Sequence, residues 1–234
     1  MTTTASGHHA LVIGASRGLG LAMAGEYVHR GWRVTATVRG SARTELHDLA
    51  DSAGGRLTVE EDVDITVPEQ VTALRERVGG TVFDLLFVNA GISNGDVPVT
   101  AVPTEIFARL MVTNALSPVR VVETFQDVVT PAGTIGVMSS RQGSVTLNAH
   151  GGYEVYRASK SALNQLMRSF AARHADDPRT LLLISPGWVR TGLGGPGASL
   201  AIEESVPGVV DTITARVGEG GLHFVDYRNK TLPW

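Results

Sequence analysis

Apolar positions along this chain fall into short blocks of two kinds. Some are continuous runs rich in β-branched residues, and others recur at intervals of three and four, the repeat of one helix face. Residues 10–13 form the first run, and a glycine-rich turn leads from it into a helical pattern over 19–30. A β-branched run follows at 33–38, then a polar helical segment carrying Leu46 and Leu49. Residues 57–59 read as a strand, and Pro68 opens a helix marked by Val71, Leu74 and Val78. Residues 83–88 are apolar on both faces, as a parallel strand covered by helices on either side requires. The second half predicts a long helix over 104–129, with Pro118 as a kink or break. A strand at 134–138, a helix over 154–174, a strand at 180–184, a helix near 203–217 and a strand at 223–227 complete it. Strands and helices alternating at this spacing predict an α/β fold: a doubly wound parallel sheet of about seven strands, helices on both faces. The reading is one domain, 1–234, with a flexible start at 1–8 and a substrate loop at 192–200.

Composition narrows the function classes. The chain has 234 residues and a formal net charge of 20 − 23 = −3, with both signs scattered. No basic tract favours nucleic acid or an anionic membrane surface. No window approaches the roughly 20 apolar residues of a membrane span. Cysteine is absent, which excludes disulfides, thiolate zinc sites and a cysteine nucleophile, and accords with a cytoplasmic location. His8-His9 resembles a metal pair only superficially, since no acidic residue stands near it in sequence, so no metal site is expected. Trp188 and Trp234 read as packing residues, Trp188 also as a border of the substrate pocket.

The first chemical signal is Gly14-Ala-Ser16-Arg17-Gly18-Leu19-Gly20, between the first strand and the first helix. Residues without Cβ let the backbone turn sharply and approach a pyrophosphate, and the helix start offers free N–H groups and a positive dipole end. The spacing Gly-x-x-x-Gly-x-Gly differs from the commoner Gly-x-Gly-x-x-Gly and lacks the Gly-Lys-Ser/Thr of an ATP-binding loop. In NAD-binding folds an acidic residue about 20 positions on holds the ribose 2′-hydroxyl. Here Val38 holds that place, with Arg39 beside it and Arg17 in the loop. Two guanidinium groups and no carboxylate suit a 2′-phosphate, so NADP(H) is expected over NAD(H).

Further motifs resemble the short-chain dehydrogenase/reductase family, in its single-domain branch with a Rossmann-type sheet. Val88-Asn89-Ala90-Gly91 is similar to the family's Asn-Asn-Ala-Gly with its first Asn replaced. Asp64-Ile65 resembles the pair that lies against adenine, and Asn114 the helix Asn of the catalytic tetrad. Ser139-Ser140 resembles the strand end with the catalytic Ser, and Tyr156-Arg-Ala-Ser-Lys160 the Tyr-x-x-x-Lys motif. Pro186-Gly187-Trp188-Val189-Arg190-Thr191 resembles the segment that holds the nicotinamide. Ser-Ser-Arg-Gln-Gly at 139–143 and the closing Leu-Pro-Trp are most similar to C-factor-like and sniffer-like carbonyl reductases. Thr191-Gly192 departs from the family's frequent Thr-Asp.

Positions four apart on a helix share a face, so Tyr156 and Lys160 point into one cleft. A free phenol titrates near pH 10, and a nearby ammonium and the cationic nicotinamide of oxidised cofactor both favour phenolate. The resemblance implies that Tyr156 exchanges a proton with the substrate oxygen, while Lys160 holds the nicotinamide ribose. It also implies that Ser140 hydrogen-bonds the substrate and that Asn114 positions a water linking Lys160 to solvent. Ser139 rivals Ser140, and strand alternation allows only one to serve. Tyr153 rivals Tyr156 but has Arg rather than Lys four positions on. The interval from Ser140 to Tyr156 is longer than the family's commonest, so the loop between must bulge.

Two other classes fit the residues less well: a non-catalytic NADP(H)-binding regulator, which would not need Ser140, Tyr156 and Lys160 together, and an extended-branch epimerase or dehydratase, whose extra C-terminal substrate region is not expected here. The resemblance also implies a homodimer or homotetramer. The segments 93–102, 141–153 and 192–199 carry Asp96 and Arg141 as their charges, which favours a neutral or moderately apolar ketone or aldehyde.

Overall fold

The computed structural model describes residues 7–234. Seven strands form one parallel sheet in the order β3-β2-β1-β4-β5-β6-β7. They are β1 (His9–Ile13), β2 (Arg33–Thr37), β3 (Leu57–Glu60), β4 (Phe83–Val88), β5 (Val129–Met138), β6 (Thr180–Ser185) and β7 (Leu222–Asp226). The helices are α1 (Gly18–His29), α2 (Glu45–Ser52), α3 (Pro68–Val78), α4 (Thr104–Met111), α5 (Ser117–Phe125), α6 (Glu154–Arg173) and α7 (Ile202–Ala215).

Side chains alternate across each strand, and the core divides accordingly. Leu11, Ile13, Leu86, Val88, Ile135 and Val137 face one way and pack with Leu74 of α3, Phe125 of α5 and Leu163 of α6. Ala10, Val12, Leu85 and Phe87 face the other way and pack with Met23 of α1 and Val209 of α7. Strand order reverses direction between β1 and β4, and in such sheets ligands bind beyond the C-terminal strand ends at that point.

Two predicted boundaries change. The expected long helix over 104–129 is α4, then a π-helical segment Val112–Leu116, then α5. Pro118 has no N–H for the carbonyl of Asn114 four residues back, so an α-helical hydrogen bond is lost there and the segment widens. β5 begins at Val129, upstream of the expected 134, and its register against β4 shifts between Phe83 and Leu85.

The predicted flexible start lies mostly at 1–6, outside the described residues. His8 stacks on Trp32 with ring centroids 4.7 Å apart, and its Nδ1 lies 3.5 Å from the Asp84 carboxylate. His9 opens β1 and donates its backbone N–H to Asp84 at 2.8 Å. Asp84, distant in sequence, is thus the acidic neighbour that the sequence did not reveal. Among the described residues no group of three or more His, Asp or Glu could hold a metal.

Candidate active site

The turn after β1 is built on close backbone approach. Gly14 has φ +84°, and a Cβ there would sit 2.6 Å from the Asn89 carbonyl oxygen. A Cβ on Gly20 would lie 2.1 Å from the Gly14 oxygen, so α1 can pack against the turn only without one. Asn89 Nδ2 donates to the Gly14 carbonyl at 3.0 Å, tying the β4 end to the turn. The Gly14 N–H is held by Thr37 Oγ1 at 2.9 Å, a contact that no motif announced. Arg17 precedes α1 as its N-cap residue, without a side-chain cap hydrogen bond, and both Arg17 and Arg39 are exposed. Val38 is buried at 1% exposure, so the place of the ribose-binding acid is filled by a core side chain.

A cavity of about 1510 Å³ runs along the C-terminal strand ends. That exceeds the roughly 300–1,000 Å³ of an ordinary small-molecule site. Its walls include Gly14, Ser16, Arg17, Gly18, Leu19, Arg39, Asp64, Ile65, Asn89, Ala90 and Gly91 at the β1–β4 end. Ser140, Tyr156, Lys160, Pro186, Gly187, Val189 and Thr191 line the rest. Of the residues picked from the sequence, Gly20 and Asn114 do not line it. Gly20 is buried beneath the turn, and Asn114 is fully buried.

Helix α6 sets the reactive groups. Tyr156, Lys160 and Asn164 follow one another at four-residue intervals, and all three are buried. Asn164 Oδ1 accepts the Ser139 hydroxyl at 2.7 Å, and Asn164 Nδ2 donates to the Gly143 carbonyl at 3.2 Å. These bonds lock the turn that follows β5 and commit Ser139 to the interior. Ser140 lines the cavity together with Tyr156, and its hydroxyl accepts the Gln142 N–H at 3.1 Å. Lys160 Nζ donates to the Met138 carbonyl at 2.9 Å.

Burial pushes the Tyr156 phenol up to about 12, with the Ser140 hydroxyl pulling the other way. A phenolate out of water loses its hydration, which favours the neutral phenol. Burial also brings the Lys160 ammonium down to about 8.

The Asn114 side chain is held within the fold. Its Oδ1 accepts the Ile92 N–H and its Nδ2 donates to the Ile92 carbonyl, both at 2.8 Å. Nδ2 also donates to Ser159 Oγ at 2.9 Å. The amide therefore clamps the loop after β4 onto α6. Asp64 Oδ1 likewise accepts the backbone N–H and the hydroxyl of Thr66, at 2.8 and 2.7 Å.

The interval from Ser140 to Tyr156 does bulge, through consecutive positive φ values at Gly151, Gly152 and Tyr153. Tyr153 has φ +49°, uncommon for a bulky residue. Asp96 holds it there by accepting its N–H at 2.7 Å, and Glu154 accepts the Val99 N–H at 2.8 Å. Trp188 is 56% exposed rather than packed, and its Nε1 donates to the Gly194 carbonyl at 2.8 Å, pinning the 192–200 loop. Trp234 lies 5.5 Å from Phe224 and under the Arg168 guanidinium.

Comparison with known proteins agrees with this geometry. The family profile described as "Enoyl-(Acyl carrier protein) reductase", within the short-chain dehydrogenases/reductases, matches residues 14–208. A solved protein from Burkholderia multivorans, described as a short-chain dehydrogenase/reductase with bound NADP, superposes with TM-score 0.95. It is 55% identical and covers 97% of this chain and 99% of its own. A carbonyl reductase from Pseudomonas aeruginosa PAO1 in complex with NADP has TM-score 0.89 and 39% identity, covering 98% and 100%. The 1-hydroxy-2-glutathionyl-2-methyl-3-butene dehydrogenase of Rhodococcus sp. (strain AD45) is 30% identical over 230 residues, 96% of this chain and 98% of that one. A Rossmann-like parallel sheet with this site defines an oxidoreductase class. The chain belongs to the short-chain dehydrogenase/reductase family.

Proposed function

We propose that this protein is a single-domain NADP(H)-dependent reductase of a ketone or aldehyde, also able to oxidise the corresponding alcohol. The observation that carries this reading is the buried Tyr156 phenol, one helical turn before the buried Lys160 and lining the long cavity with Ser140. The names of the relatives, a carbonyl reductase and a 1-hydroxy-2-glutathionyl-2-methyl-3-butene dehydrogenase among them, support the same interconversion.

The residues fit a phosphorylated dinucleotide. The turn at Gly14 and Gly20 leaves room that any Cβ would fill, and Arg17 and Arg39 supply cations where Val38 withholds an acid. Arg17 and Arg39 would hold the 2′-phosphate, Asp64 and Ile65 would border the adenine, and Asn89, Ala90 and Gly91 would complete the cofactor wall. Pro186, Gly187, Val189 and Thr191 hold the nicotinamide, which when bound exchanges the hydride with the substrate carbon.

In reduction, Tyr156 Oη–H donates its proton to the substrate oxygen. The Ser140 hydroxyl hydrogen-bonds that oxygen and stabilises the negative charge gathering on it. Lys160 Nζ, anchored to Met138, keeps further donors for the ribose. The Asn114 carbonyl, which Pro118 cannot engage, positions the water that connects Lys160 to solvent. The protein acts in the cytoplasm as a homodimer or homotetramer. No helix among the described residues is long and apolar enough to cross a membrane.

NADPH consumption across a panel of aldehydes, ketones and α-dicarbonyls tests the reading, with wild type run beside Tyr156→Phe. Turnover in wild type that falls by about 10²–10⁴-fold in the variant is expected. Equal turnover in both would remove Tyr156 from its role. NADPH binding without turnover of anything in the panel would favour a non-catalytic regulator.

A further inference from the structure

Two sets of arginines contrast in this molecule. Seven form ion pairs: Arg30, Arg43, Arg75, Arg77, Arg173, Arg179 and Arg216. None of these lines the cavity. The six that do, Arg17, Arg39, Arg109, Arg141, Arg157 and Arg228, form no ion pair among the described residues. Two acids, Asp64 and Asp226, share that wall. A chain with net charge −3 thus presents a cationic channel.

Arg17 and Arg39 are accounted for at the β1–β2 end. Arg141 and Arg228 stand elsewhere. Arg141 follows Ser140, and its backbone N–H donates to Ser185 Oγ at 2.9 Å. The Ser185 carbonyl accepts the Tyr227 N–H at 2.9 Å, so the ends of β5, β6 and β7 are tied into one rim. The Arg228 guanidinium lies 5.0 Å over the Tyr227 ring, and that ring packs against Gly187. Neighbouring strands are about 4.8 Å apart. In the order β2-β1-β4-β5-β6-β7, Arg39 and Arg228 follow strands separated by five spacings, about 24 Å. One phosphate cannot engage both. Asp226, the acid at this end, spends Oδ1 on the backbone N–H groups of Arg228 and Lys230, at 2.9 and 3.0 Å.

We propose that Arg141 and Arg228 recognise an anionic group on the substrate, so that this enzyme reduces carbonyl compounds bearing a carboxylate or a similar anion. The inference rests on the reductase reading above and sharpens its substrate class. The charge count over the three pocket loops pointed to a neutral substrate because Arg228, beyond the end of β7, lies outside them. A guanidinium pairs with a carboxylate through charge-assisted, often bidentate hydrogen bonds, and a partly enclosed wall strengthens them. A cationic channel also draws in anions from solution.

The test uses acid–ester pairs: 4-carboxybenzaldehyde, succinic semialdehyde and levulinate, each against its methyl ester. The acid is expected to exceed its ester in kcat/KM by about tenfold in at least one pair. Arg141→Met and Arg228→Met should each bring that ratio toward one, whereas Arg120→Met, on exposed α5 surface, should leave it unchanged. Ratios near one across the series in wild type would overturn the proposal, as would an equal loss in Arg120→Met, which would mean net charge rather than contact. Absence of turnover would strike the reductase reading instead. Calorimetric binding of terephthalate and of dimethyl terephthalate to the NADP⁺-loaded protein then decides the present inference. Tighter binding of the diacid, weakened in both arginine variants, sustains it; equal binding of the two ends it.

Discussion

Ser139 and Ser140 are chemically identical neighbours whose surroundings assign them opposite tasks. Ser139 is 2% exposed, and its hydroxyl satisfies the buried Asn164 carbonyl oxygen. Ser140 stands on the cavity wall beside Tyr156. Replacing Ser139 by alanine should therefore cost about 1–3 kcal/mol, because a buried acceptor loses its donor. Replacing Ser140 should lower kcat on the order of 10²-fold, as loss of one donor to a developing oxyanion does, with stability nearly unchanged. Urea denaturation and steady-state kinetics on the two variants check this. A larger catalytic loss in Ser139→Ala at unchanged stability would reverse the assignment. The same contrast governs the lysines. Among 20 cationic side chains Lys160 and Lys230 are the only lysines, and Lys160 alone is buried in the site. An ammonium can lose its proton when buried, whereas a guanidinium cannot, so lysine is the cation whose charge this pocket can tune.

At the scale of elements, the β1–α1 connection is the most demanding piece of backbone. Helix α1 starts within a turn whose carbonyl at Gly14 would overlap any Cβ on Gly20. Gly20→Ala must push α1 away from Asn89 and from the turn, at a cost of about 1–3 kcal/mol. A lowered thermal midpoint together with weakened NADPH binding is the expected result. Unaltered binding, measured by fluorescence titration, would show that the turn does not need that approach. The motif made this constraint legible, since three such residues at this spacing have few other uses. The π-helical segment was not legible. Pro118 marked a disturbance, but its consequence, a widened turn that buries Asn114 against Ile92 and Ser159, depends on partners 22 and 45 residues away.

At the scale of the whole molecule, the sheet presents one edge of strand ends to a single long cavity, and cofactor binding should be read out by global stability. NADPH at 100 times its Kd should stabilise the fold by about 2.7 kcal/mol. For a chain of this size that raises the melting temperature by roughly 5–10 °C. NADH at the same concentration should give a smaller shift, and Arg39→Asp should erase the difference. Equal shifts with both cofactors in wild type would remove the role given to Arg17 and Arg39. Helices, strands and the glycine turn were determined by the sequence alone, because hydrophobic periodicity and missing Cβ atoms act over a few neighbouring residues. Tertiary structure decided which serine hydroxyl is committed to a buried amide, what the Asn114 amide holds, and that burial raises the Tyr156 phenol. It also gathered around one cavity six arginines that form no ion pair among the described residues. Burial and charge environment are set by groups that only folding brings together, and no local pattern along the chain encodes them.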